Sequence, residues 1–121
     1  MIMSARDQKN KWVGVIVIVI VTGVLKGILK PGDKLLSVRE FAVDAGVNVN
    51  TVQRVYKELE LMNLTETKRG QGTFITTDTD IIFQMREQMK SQVAEHIVSS
   101  IQSFGFSVEE MIEVLKKEGE K

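Results

Sequence analysis

Residues 46–59 read GVNVNTVQRVYKEL. Gly46 tolerates a turn with positive φ, and the side-chain oxygen of Asn48 can accept from free N–H groups at a helix start, so a helix is expected directly after Asn48. Val52, Val55, Tyr56, Leu59 and Met62 then recur at steps of three and four, giving one apolar stripe for a core. The other side would carry Val49, Asn50, Thr51, Gln53, Arg54 and Lys57. Amides, a hydroxyl and cations are the groups that hydrogen-bond base edges and phosphates in a DNA major groove. The same pattern also describes an ordinary surface helix, and the flanking segments decide between the two.

Upstream lies KLLSVREFAVDAG, residues 34–46. Ser37 and Glu40 have capping-box spacing, and Val38, Phe41, Ala42 and Ala45 follow as an apolar stripe, so a short helix of about nine residues is expected to end at Gly46. Two helices joined across a tight glycine turn form a helix-turn-helix with the second helix presented outward. Downstream, in LTETKRGQGTFIT, residues 65–68 and 73–76 are rich in β-formers, and Gly70 and Gly72 bracket a tight connection. A hairpin after a helix-turn-helix makes a winged helix. Lys68 and Arg69 at its tip offer a thin basic edge for a sugar-phosphate backbone or a minor groove, although such a turn in isolation is more often just solvated.

With 121 residues, 43% of them hydrophobic, the chain has enough for one core and a short appendage. The absence of cysteine excludes disulfides, thiolate metal sites and cysteine nucleophiles, and it fits a reducing, cytoplasmic setting. His96 is the single histidine, which excludes triads and histidine-rich metal sites. No motif joins a nucleophile, a base and an oxyanion site, and no glycine loop for phosphate precedes a helix, so no enzyme, metal or cofactor is expected. Formal net charge is zero, but residues 9–76 hold ten Lys or Arg against six Asp or Glu, and residues 77–121 hold five against nine. The first part can face phosphates, whereas the second would be repelled by them.

Residues 1–11 are polar and read as a frayed end. Residues 12–25, WVGVIVIVIVTGVL, are uncharged but fall short of the roughly 20 apolar residues of a membrane span, and no cleavage site marks a signal peptide. Val and Ile favour a strand here. A helical stripe of Val13, Ile16 or Val17, Ile20, Val24 and Ile28, ending near Lys30 with Pro31 as its stop, also fits, and we read the segment as a core helix. Val15, Ile18, Val19 and Thr22 would then form an apolar far side, either a subunit contact or a peculiarity of this sequence.

From Asp80 to Phe104 the residues Ile82, Met85, Met89, Val93, Ile97, Ile101 and Phe104 fall at helical steps, a long amphipathic helix that needs a partner. Ser107 and Glu110 cap a last helix with Val108, Met111, Ile112 and Leu115 on its apolar side. The expected organisation is a winged helix-turn-helix domain over residues 9–77 and a helical dimerisation hairpin over residues 78–121. The methionines read as packing residues and His96 as a helix-surface residue.

PGDKLLSVREFA, then GVNVNTVQRVYKELE, then RGQGTF closely resemble the DNA-binding domain of the GntR family of bacterial transcription regulators, over about residues 12–76. The resemblance implies a winged helix that binds a two-fold operator as a homodimer. It carries DNA contacts to Arg39 on the second helix, to Asn48, Asn50 and Thr51 at the start of the recognition helix, to Gln53 and Arg54 beyond, and to Arg69 and Gly70 in the wing beside Lys68. Two departures stand out. Leu36 occupies the place of the usual proline before the serine cap, and the first helix is almost wholly apolar. The short remainder resembles the compact YtrA branch, whose members often repress transporter operons, so a repressor is expected, with effector and operator open. A winged helix that binds only another protein is the alternative.

Overall fold

Five helices and one hairpin follow in the order α1 (Ala5–Leu25), α2 (Val38–Ala45), α3 (Val49–Leu61), β1 (Thr65–Lys68), β2 (Gly72–Ile75), α4 (Thr79–Ser103) and α5 (Val108–Gly119) in the computed structural model, which describes residues 5–121. The fold is mostly helical with a two-stranded antiparallel hairpin.

Backbone chemistry at the helix ends sets these boundaries. α1 to α4 each close with a paired turn in which a left-handed residue just past the helix donates three residues back and its successor five residues back. At the end of α1, Gly27 N–H donates to Val24 and Ile28 N–H to Gly23, at 3.1 and 2.9 Å. At the end of α2, Gly46 (φ 67°) and Val47 do the same onto Val43 and Ala42. Asn63 fills the role after α3, and Gly105 after α4. The helix starts are equally explicit. Ser37 and Glu40 exchange both bonds of a capping box at 3.1 and 3.2 Å, as do Ser107 and Glu110 at 3.2 and 3.0 Å. Asn48 Oδ1 accepts from Asn50 N–H at 2.8 Å.

The first helix differs from its expected span at both ends. It begins by Ala5, not near Trp12, because Ala, Arg, Gln and Lys are good helix formers and need no apolar face to extend an existing helix. Residues 1–4 of the expected frayed end lie outside the described residues. It stops at Leu25, not near Lys30, because Gly27 terminates it ahead of Pro31. Ile28, placed in the buried stripe by helical spacing, is therefore past the helix and 71% exposed.

Val13, Ile16, Ile20, Val21 and Val24 of α1 are buried, and α1 packs on α3. α3 sits centrally: α2 and β1 also pack on it, and Val52, Val55 and Leu59 are fully buried with Leu64, just before β1, and Ile75 of β2. Met62, expected in that stripe, is exposed at the C-cap. Leu59→Ala is expected to cost about 2–5 kcal/mol, a large share of the ~5–15 kcal/mol that holds a domain of this size, read as a lower urea midpoint at unchanged slope. On the far side of α1, Trp12, Val15, Ile18 and Val19 (62%) remain exposed, whereas Thr22 is half-buried.

A third extended segment joins the hairpin. Gly32 and Leu35 donate to Ile75 and Thr73, and Ile75 donates back to Asp33, all at 2.8–2.9 Å, so residues 32–35 run antiparallel to β2 with Lys34 opposite Phe74.

The chain divides into two compact units, one ending at Phe83 and one spanning Gln84–Lys121. In the second, Met85 and Ile101 are buried and Met89 is half-buried, while Val93, Ile97 and Phe104 are exposed; every residue of α5 is at least partly exposed. Among the described residues no helix is long and apolar enough to cross a membrane.

Candidate nucleic-acid interface

With Val52, Val55, Tyr56 and Leu59 turned into the core, the helical period leaves Asn50, Arg54 and Lys57 in one row on the outer surface of α3, with Gln53 beside them, and all four are exposed. Thr51 does not share that face, contrary to the sequence reading. It is 4% exposed, because residue 51 stands one turn before Val55 and so on the same inward ridge. Asn48 is exposed, but its side-chain oxygen is engaged as the helix cap; its amide nitrogen, which makes no bond among the described residues, is the part left to donate to a ligand.

Arg39 is the second residue of α2, exposed, in a turn fixed by the Ser37–Glu40 capping box. The bonds from the Ser37 side chain and backbone hold the Glu40 carboxyl below the usual carboxylate range. α2 is tied to α3 from beneath: the Tyr56 hydroxyl donates to the Leu36 carbonyl, and the Tyr56 and Phe41 rings meet edge to face at 6.0 Å. Burial, reinforced by the charge of Glu40, pushes the Tyr56 hydroxyl up to about 12, so it stays a donor at any working pH.

In the wing, Gln71 N–H donates to Lys68 C=O at 2.9 Å and closes the turn that carries Arg69 and Gly70, both exposed. Lys68 is drawn back from the tip: its ammonium lies 5.0 Å from the centre of the Phe74 ring. Gly72 has φ 123°, and the Lys34 side chain crosses it so closely that a Cβ there would meet Cε at 2.8 Å. Lys34 thus joins the basic edge of the wing through the pairing of residues 32–35 with β2. Two extended residues after a proline-glycine turn gave no periodic signal for that pairing. Leu36 and Val43, both exposed, line a shallow groove with Arg39, Glu40 and Asp44. Among the described residues none of Lys34, Arg39, Arg54, Lys57 and Arg69 is in a salt bridge, whereas Lys90–Glu87 on α4 and Lys121–Glu118 at the C-terminus are paired.

A helix with exposed amides and unpaired cations, a second helix locked beneath its entry and a basic hairpin alongside define a winged-helix DNA-binding regulator. A family model described as bacterial regulatory proteins, gntR family, matches residues 17–75. YhcF of Bacillus subtilis, an uncharacterized HTH-type transcriptional regulator, is 44% identical over 88 residues, 73% of each chain. The HTH-type transcriptional repressor YtrA of the same organism is 41% identical over 95 residues, 77% of this chain and 72% of that one. A GntR family transcriptional regulator from Listeria monocytogenes superposes with TM-score 0.82 at 38% identity, covering 87% of this chain and 92% of the other. The chain belongs to the GntR family of bacterial transcription regulators, which act by binding DNA and are not enzymes.

Proposed function

We propose that the protein is a transcriptional repressor that binds a two-fold operator as a homodimer, reading bases with Arg39, Asn50, Gln53 and Arg54 and holding the backbone with Asn48, Lys68, Arg69 and Gly70. The observation that carries this reading is the coexistence of an outward face of cations and amides outside any salt bridge with Val93 (53%) and Ile97 exposed on α4 and Phe104 (79%) exposed just past its end, a surface for a second copy. The similarity to a chain named a repressor supports the sign of regulation. Thr51, nearly covered, contributes less than its neighbours in this arrangement.

The test separates reading from holding. Operator sequences are first selected from random duplexes. Arg39→Ala is then expected to lose about 1–3 kcal/mol per half-site and to relax preference at one or two base pairs, as loss of a forked contact to guanine should. Arg69→Ala should weaken selected and random duplexes alike. Equal weakening of all sequences by Arg39→Ala would make that residue a phosphate clamp and refute its reading role.

A further inference from the structure

We infer that Tyr56 is a positioning residue for DNA recognition, its hydroxyl fixing Arg39 on α2 relative to Asn50 and Arg54 on α3; this rests on the proposed DNA contacts. The two groups of contacts sit on different helices, so the base pairs they can address together depend on how rigidly α2 is held against α3. Tyr56 is on the buried face of α3, turned away from the contacts and unable to touch a base itself. Its hydroxyl bonds the carbonyl of Leu36, a partner 20 residues away in sequence, and this is a side-chain hydrogen bond from α3 to the segment that starts α2. Leu36 immediately precedes the Ser37 cap. From there the reciprocal Ser37–Glu40 bonds make the first turn of α2 one rigid piece, with Arg39 inside it.

The other bond on that peptide unit, from Ser37 N–H to Glu40, stays within the first turn of α2 and does not reach α3. The N–H of Leu36 makes no backbone hydrogen bond among the described residues, and the Leu36 side chain is exposed. The edge-to-face contact between Tyr56 and Phe41 fixes where the tyrosine ring lies, which makes the hydroxyl a fixed post, not a searching one. Because the hydroxyl remains protonated far above neutrality, the link does not open with pH in the working range.

Tyr56→Phe keeps the ring, its packing and its contact with Phe41 and removes the one bond. The experiment is a double-mutant cycle on the full chain with Tyr56→Phe, Arg39→Ala and both together, measured against the selected operator, its single-base variants and random duplex. Circular dichroism fixes a temperature at which all four proteins are fully folded. Tyr56→Phe is expected to weaken operator binding roughly 3- to 10-fold per half-site, the size of one lost hydrogen bond, and to relax discrimination at the base pair that Arg39→Ala relaxes. Binding to random duplex should stay within about 2-fold, and in the Arg39→Ala background Tyr56→Phe should change operator affinity by less than about 2-fold. Equal losses on operator and random duplex, or the same loss in both backgrounds, would reduce Tyr56 to a stability residue and overturn the inference. An Arg39→Ala protein that matches the parent on every duplex would instead overturn the contact assignment itself, and the role of Tyr56 with it.

Discussion

A chain carrying Val93→Glu and Ile97→Glu is expected to be monomeric and to bind operator duplex about 10²- to 10⁴-fold more weakly than the parent, the effective-concentration advantage that joining two half-site readers confers. Both side chains are exposed in the protomer, so the substitutions leave its own packing alone. In a dimer built on α4 they would place carboxylates in an apolar contact, and an unpaired buried charge costs several kcal/mol. Exposed Phe104 just after α4 and Ile112 and Leu115 of α5 extend the available surface, whereas Met85 and Ile101 are already buried in the single chain and add little to it. Sedimentation equilibrium reads the assembly and fluorescence anisotropy the affinity. A variant that remains dimeric would remove α4 from the subunit contact and shift attention to the exposed face of α1 with Trp12, Val15, Ile18 and Val19.

The parts of this fold that were legible in the sequence are those in which a local rule has one outcome. A serine three residues ahead of a glutamate, an asparagine ahead of a valine-rich period and glycines around a basic turn each satisfy backbone groups in one geometry, and Ser37, Asn48, Ser107 and the hairpin at residues 65–75 all occur as expected. α1 was harder because its Val and Ile content contradicts its helical state. Packing against α3 overrides that preference, and the buried face keeps a helical period even though the exposed face is also apolar. Its end lies earlier than Pro31 suggests, because Gly27, four residues before the proline, supplies the left-handed turn that closes the helix.

The site was legible in composition more than in depth. Helical spacing placed Asn50, Arg54 and Lys57 outward, whereas Thr51, grouped with them for its polar side chain, stands one turn before Val55 and is covered. Lys34 and Tyr56 could not be found that way. One reaches the wing by strand pairing across about forty residues, and the other works through a carbonyl, a group every residue has.

Affinity for operator duplex is expected to fall about 10³- to 10⁵-fold between 50 and 200 mM salt, the loss that goes with roughly 6–10 phosphate contacts. Lys34, Arg39, Arg54, Lys57, Lys68 and Arg69, doubled in a dimer, supply that many cations, and all six are exposed. Since none of the six is in a salt bridge among the described residues, binding DNA would break no ion pair of theirs, and the release of counterions from the duplex would appear almost undiminished in the slope. Lys68 is drawn over the Phe74 ring and away from the tip, so Lys68→Ala should flatten the slope less than Arg69→Ala. The acidic excess of residues 77–121, nine carboxylates against five cations, opposes nonspecific coating of DNA by that segment and leaves the winged helix as the surface that titrates with salt. Anisotropy titrations at four or five salt concentrations give the slope directly. A flat dependence would mean that the cations of α3 and the wing do not meet phosphates, and would favour a winged helix whose partner is a protein.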